Sequence, residues 1–275
     1  MKSLVYTLSG VLLFALVSFK PSSQEFTGQA VYYSKSKLEL GRFGARMSEA
    51  QKKQIQARLK NRLEKTYVLS FNLKESFFEE EEKLDAISGA TDSWGANFSQ
   101  GDQYKNVKEN ALVQSQEFYG KKFLVKDELL KIDWKIGKES KKIGNYLCFK
   151  ATAEVPSSQL EWYNFSWRDL RRKEEKKDSI ASETPAVEMT EIEAWYTPQI
   201  PVSHGPSEFG GLPGLILEVS YGNTIMLCSK VTINPKEEIV IEAPKRGKEI
   251  TKEAYQQTIR EKMVEMRNNR GRRRQ

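Results

Sequence analysis

The block from Trp195 to Val219 leaves the backbone few choices. It reads Trp195-Tyr196-Thr197-Pro198, then Ile200-Pro201 and Gly205-Pro206, then Phe209-Gly210-Gly211-Leu212-Pro213-Gly214-Leu215-Ile216-Leu217-Glu218-Val219. The predicted order is an aromatic strand, a loop stiffened by proline and glycine, and a buried strand. Pro213 fixes φ near −65°, and Gly214 after it can supply the positive φ of a type II turn, so a tight turn is expected over Leu212 to Leu215. Leu215 to Val219 is apolar apart from Glu218, as in a strand covered on both faces. Two readings of the loop follow. It is a structural corner feeding a core strand, or its missing side chains let a ligand or partner reach the backbone. On the second reading the binding residues are Trp195, Tyr196, His204, Phe209, Gly210, Gly211, Leu212, Pro213 and Gly214.

Residues 1–23 read as a secretory signal peptide, with Lys2 as a short basic start, an apolar run from Val11 to Phe19, and Ser22-Ser23 near the cut. That run is shorter than the ~20 residues that span a bilayer, so no transmembrane segment is expected in the mature chain. No cysteine lies near it, and a lipoprotein-type acyl anchor is not expected. The mature protein is placed in the periplasm, at the outer membrane, or outside the cell. Residues 24–268 are expected to form a single β domain. At 39% hydrophobic and 29% charged, the chain can bury a core but must carry long polar inserts. Residues 245–275 hold 11 Lys/Arg against 4 Asp/Glu, a net of +7, which equals the net charge of the whole chain. The basic character therefore belongs to the C-terminal segment, and a uniformly basic nucleic-acid surface is disfavoured.

Along the chain, Gly28 to Ser34 reads as a strand. Ser48-Glu49-Ala50-Gln51 fits a capping box, and Ile55, Leu59 and Leu63 recur every four residues, which predicts a helix over 48–64 lying on a larger surface. Tyr67, Leu69, Phe71 and Leu73 alternate with Val68, Ser70, Asn72 and Lys74 as a strand with one face in the core does. The acidic run Glu79 to Glu82 and the polar stretch to Asn110 read as a long loop. Consecutive carboxylates lack the spacing of a calcium loop. Strands are expected over 118–125 and 129–136, a hairpin connection over Gly137 to Ser140, and a strand over 142–153. Residues 157–188 read as an exposed insertion. Strands are expected over 191–197, 224–233 and 239–241, with Thr251 capping a terminal helix that turns Tyr255, Ile259, Met263 and Met266 to one side. Residues 269–275 are a basic tail expected to be disordered. The fold class is mainly β with flanking helices (α+β), a curved antiparallel sheet or open half-barrel.

The sequence resembles the GLPGLI family of exported, uncharacterised Bacteroidetes proteins beyond its central block. Gly28 to Tyr32, Lys122-Phe123-Leu124 before Trp134, Lys141 to Ala151, and Ile250-Thr251-Lys252-Glu253 all fit the family pattern. The insertion at 157–188 is longer and more charged than that pattern. The resemblance implies an envelope protein, with an outer-membrane transporter or another envelope protein as partner. The meander also resembles, in topology alone, the half-barrels of LolA-type lipoprotein carriers.

Cys148 and Cys228 are the only cysteines, each mid-strand in a segment expected to reach an oxidising compartment, so a structural disulfide between neighbouring strands is expected. His204 is the only histidine. Ser203 beside it and Glu218 suggest a hydrolase site, but adjacent side chains rarely face one another. The chain holds no nucleophile elbow, phosphate loop, zinc-protease helix or dinucleotide fingerprint, so no cofactor and no metal are expected. Trp195, Tyr196, Phe209, Trp162, Tyr163, Phe165 and Trp167 could line an apolar groove or fill a core. The leading expectation is a non-catalytic protein that binds a hydrophobic ligand or an envelope partner through its sheet or motif loop. A hydrolase and a surface protein that contacts anionic lipid or polysaccharide through its tail are the alternatives.

Overall fold

A computed structural model describes residues 26–38, 44–81, 100–160, 162–165 and 187–272. The expected signal peptide, Trp167, most of the charged insertion and residues 273–275 lie outside them. The described chain is mostly β, an open sheet of twelve strands with a few helices. β2 (Glu64–Asn72), β3 (Glu75–Glu80), β4 (Gln103–Asn106), β5 (Ala111–Phe118) and β6 (Lys121–Glu128) form one antiparallel meander. β7 (Lys135–Ile143), β8 (Tyr146–Pro156), β9 (Met189–Thr197), β10 (Leu215–Tyr221) and β11 (Thr224–Ile233) form a second. β1 (Thr27–Ser36) lies between them, antiparallel to β2 on one side and β11 on the other. β12 (Lys248–Ile250) runs parallel to β6 at one edge, and β7 is the other edge.

Side chains decide which face turns inward. β1 buries Gly28, Ala30, Tyr32 and Ser34 and leaves the residues between them more exposed, the period of two that a half-covered strand requires. Ala30 sits between Leu69 of β2 and Val231 of β11. Tyr32 is fully buried, and its hydroxyl donates to the Ile216 carbonyl at 2.7 Å, so its burial leaves no orphan donor. Full burial of side chains such as Leu69, Phe71, Phe78 and Ile192 contributes about 1.5–3 kcal/mol each.

The buried apolar residues fall into two clusters. The larger joins β1–β3 with β8–β11 and the motif loop. The smaller consists of Phe118, Phe123, Val125, Trp162, Tyr255, Ile259 and Met263. It sits under α4 (Lys252–Arg272). Thr251 caps α4 as expected, its hydroxyl accepting the Ala254 N–H at 3.2 Å. The helix runs on to Arg272, so the part of the expected disordered tail that is described is helical; Arg267 and its polar neighbours contain no proline to stop it.

Several expectations need correction. The 48–64 segment is α1 (Glu49–Arg58) and α2 (Lys60–Leu63), broken at Leu59, and α1 buries no residue. Its capping box is present, with Ser48 and Gln51 bonded reciprocally. The stretch from Glu79 to Asn110 is not one loop, because Glu79 and Glu80 belong to β3 and β4 lies within it, paired with β3. Residues 129–134 are not a strand, and Gly137 to Ser140 lie inside β7 at an irregularity in its pairing with β8. The hairpin turn comes later, at Gly144, whose φ is +58°. Residues 239–241 form no strand, and β12 takes the edge instead. The insertion begins as a short helix, α3 (Ser157–Leu160), and returns Trp162 to the core.

Cys148 and Cys228 are free and buried, and the expected disulfide is absent. β9 and β10 lie between their strands. Three inter-strand spacings of about 4.8 Å exceed the roughly 7 Å that separates bridged Cα atoms.

Candidate functional site

The motif loop is a packed corner closed on a buried cation. Ile200 to His204 runs beside the start of β10, with the Leu215 N–H donating to Ile200 O at 3.0 Å and the Ile216 N–H to His204 O at 3.1 Å. Gly210 and Gly211 fold back against the same segment, the Gly211 N–H donating to Ser203 O at 3.1 Å. Lys105 reaches this corner from β4. Its ammonium donates to the carbonyls of Gly205 at 3.0 Å, Ser207 at 2.5 Å and Phe209 at 3.0 Å. Three acceptors match the three N–H donors of a lysine. Burial pulls its pKa down to about 7, and Glu208 opposes that shift.

Glycine serves this corner in two ways. Gly211 has φ +83°, a backbone that side chains rarely adopt. Gly214 was expected to have positive φ and does not. Instead its N–H donates to Leu212 O at 2.8 Å, a three-residue turn about Pro213 in place of the expected type II turn. A Cβ on Gly214 would lie 2.2 Å from Thr197 O, so close backbone approach is what requires glycine there.

Ser203, His204 and Glu218 are not brought together. The Asn72 carbonyl lies 3.0 Å from His204 Nε2, and because a carbonyl only accepts, Nε2 carries the proton. Nδ1 is buried and has no partner. Burial, and then the charge of Lys105, lower the His204 pKa to about 3, with the Asn72 bond opposing. Ser203 is exposed while His204 is fully buried. Glu218 pairs with Lys141 at 2.7 Å, and that ammonium also sits 4.3 Å from the Trp195 ring centroid.

The aromatic and aliphatic residues assigned to a binding surface lie in the core. Trp195, Tyr196, Phe209 and Leu212 are all buried, and of the nine residues assigned to binding only Gly211 and Pro213 are exposed, with Gly210 between. Trp134 caps the corner, its indole N–H donating to Gly210 O at 2.9 Å. Trp162 is buried and donates to Glu208 Oε1 at 2.8 Å, while Lys252 of α4 holds Glu208 Oε2 at 3.0 Å. Glu208 thus ties the motif loop to the insertion and the terminal helix.

Open space lies elsewhere, at the rim of the smaller cluster. A groove of about 340 Å³ runs between the β5–β6 turn, β12 and α4. Phe118, Tyr119, Phe123, Ile259 and Met266 form its apolar wall, with Thr258 beside them. Three lysines, Lys121, Lys248 and Lys262, line its edge. Lys262 is paired with Glu265 at 2.7 Å, and that bond holds the Glu265 carboxyl below its ordinary range. Among the described residues no carboxylate pairs with Lys121 or Lys248. Sequence reasoning ran one strand across Phe118 to Val125 and so missed the turn that shapes this wall. Tyr119 and Gly120 both have positive φ, +47° and +76°, as a two-residue hairpin turn requires. The Tyr-Gly pair between two β-prone runs was the signal that could have found it.

Sequence reasoning also missed a buried polar layer on β4 and β5. Gln103, Gln114 and Gln116 are buried, with Gln103 Nε2 donating to Gln114 Oε1 at 2.9 Å. Gln103 Oε1, Gln114 Nε2 and Gln116 Nε2 have no protein partner. The signal was glutamine at every second position beside Leu112 and Phe118.

No curated protein sequence matches the chain. Two solved structures of PNGF-II, in C2 and P21 crystals, are similar at 17% and 16% identity with TM-scores of 0.49 and 0.48. Each match covers 85% of this chain but 32% and 33% of the other, so the chain spans about a third of those structures. Residues 134–218, from the indole that caps the corner to the carboxylate paired with Lys141, match the model of a family described as "Protein of unknown function (Porph_ging)".

Proposed function

We propose that this chain is an exported, non-catalytic protein of the cell envelope, of the GLPGLI type, that binds a hydrophobic ligand in the groove beneath α4. The observation that carries the reading is the groove itself, with Tyr119 and Met266 at its surface and the buried Phe118, Phe123 and Ile259 beneath them. Its volume lies at the small end of the ~300–1,000 Å³ of ordinary ligand sites, which suits a single chain or ring. The packing of the motif loop supports the same assignment. Its glycines admit backbone and its aromatics fill core, which makes the loop a scaffold, and the carbonyls a ligand might have used are taken by Lys105.

The test is displacement fluorescence with an uncharged naphthylamine probe on the mature protein. The wild type should enhance the probe, and Thr258→Trp, which fills the groove from α4 without touching the core, should abolish the enhancement. Equal enhancement by both proteins, or none by the wild type, would overturn the reading.

A further inference from the structure

The rim of the groove narrows the ligand class, and this step rests on the binding reading above. The wall is apolar, yet three lysines line its edge and no carboxylate does; Glu265, which Lys262 holds, and Glu261 lie beside them. Lys121 and Lys248 are exposed and form no ion pair among the described residues, although the charge of Lys121 also lowers the pKa of the Glu265 carboxyl. They come from the β5–β6 turn and from β12, whereas Lys262 comes from α4, so the positive charge converges on one opening from separate elements. A lysine stem can lie along an apolar wall while its ammonium stays in water, which puts the charge at the mouth and the methylenes beside the ligand. We infer that the groove takes a single-chain anionic amphiphile, with its hydrocarbon against Phe123, Ile259 and Met266 and its carboxylate or phosphate at Lys121 and Lys248.

The volume excludes a two-chain lipid lying wholly inside, and the basic rim disfavours cationic amphiphiles by like-charge repulsion. A neutral chain keeps the apolar contact but gains nothing at the rim. Each exposed lysine adds only a modest, salt-screened attraction, so the discrimination between anionic and neutral heads should be about 5- to 10-fold at low salt and should shrink at 1 M salt.

The experiment compares dodecanoate, dodecyl phosphate, dodecanol and dodecyltrimethylammonium as competitors for the probe, on wild type and on the Lys121→Gln/Lys248→Gln variant. Dodecanoate and dodecyl phosphate should compete better than dodecanol, and dodecyltrimethylammonium worst. The double variant should bring the two anions to the level of dodecanol and leave dodecanol unchanged. If dodecanol competes as well as the anions on the wild type, the head-group assignment is wrong while the hydrophobic site stands. Failure of all four overturns the site itself, and loss of dodecanol binding in the variant would show that the lysines shape the wall. Probe exclusion that rises with protein concentration alongside a dimer in sedimentation would mean that a second copy fills the groove, which also overturns the inference.

Discussion

The motif corner and the groove under α4 rest on the same sheet and treat empty space in opposite ways. In the corner, Gly210 and Gly214 let backbone meet backbone, Gly205 makes room for the Ile216 side chain, and the Lys105 ammonium occupies the centre. Beneath α4, large apolar residues meet along the middle of the helix and leave a gap. A conspicuous sequence motif thus marks a tightly closed place, and a region with no motif carries the groove that we propose as a binding site. The match to the family model also stops at 218, before β12 and α4. A recurrent motif of glycine and proline is best read first as backbone geometry.

Gly214→Val gives the sharpest test of that contrast. Its Cβ would fall 2.2 Å from Thr197 O and 2.5 Å from Thr197 C, backbone atoms that cannot yield. A loss of about 3–5 kcal/mol is expected, enough to unfold a marginal domain, and a melting curve like that of the wild type would refute the packed corner. Lys105→Met comes next. It strands three carbonyls but also removes a buried charge, so a net loss of about 2–4 kcal/mol is expected in urea titration. A neutral outcome would mean that the three carbonyls do not depend on the cation.

The third test uses acid. His204 has its folded pKa depressed from 6.5 to about 3, so below pH 6.5 the unfolded chain takes up a proton that the folded chain refuses. Stability from this group is complete above pH 6.5 and is lost as pH falls toward 3. Glu64 and Glu193, whose folded values are also lowered, add the same sign only below about pH 4.5. Between pH 6.5 and 4.5 the decline should therefore belong to His204, at up to about 1.4 kcal/mol per pH unit, offset in part by Glu79, whose carboxyl pKa is raised by burial and which adds stability as pH falls. His204→Gln, which can still donate to Asn72 O, should flatten that interval; an unchanged slope would place the histidine in water. The smallest effect is expected on the groove side. Met266→Ser removes a half-buried side chain and should cost less than about 1 kcal/mol while weakening probe binding, whereas a loss as large as that of Lys105→Met would mean that the groove is core.

What was legible in the sequence followed period and capping. The alternation of Tyr67, Leu69 and Phe71 marked β2, Ser48 and Gln51 marked the start of α1, and Thr251 with Tyr255, Ile259 and Met263 marked α4 and its buried side. Misreadings came where long-range pairing overrode local composition. β3 carries Glu79 and Glu80 in a strand because β2 supplies its ladder, and Gly137 sits inside β7 because an irregular pairing with β8 absorbs it. The cysteines looked like neighbours because each lies mid-strand, and only the strand order could separate them. His204 looked reactive beside Ser203, but burial against Asn72 and Phe71 depends on residues more than a hundred positions away.

The place of β1 has a consequence for how the chain is made. Thr27 and Asn234, which bond across the seam between the meanders, are 207 positions apart, so the first strand to emerge waits for nearly the whole chain before its second edge is covered. Until then that edge is a template for the wrong partner, in this chain or another. Contacts of such separation slow folding, because loop closure comes before any reward from pairing. A chain of this design folds as a zipper with its teeth at both ends: an early stop anywhere before β11 would leave β1 with a bare edge however well the first meander had formed.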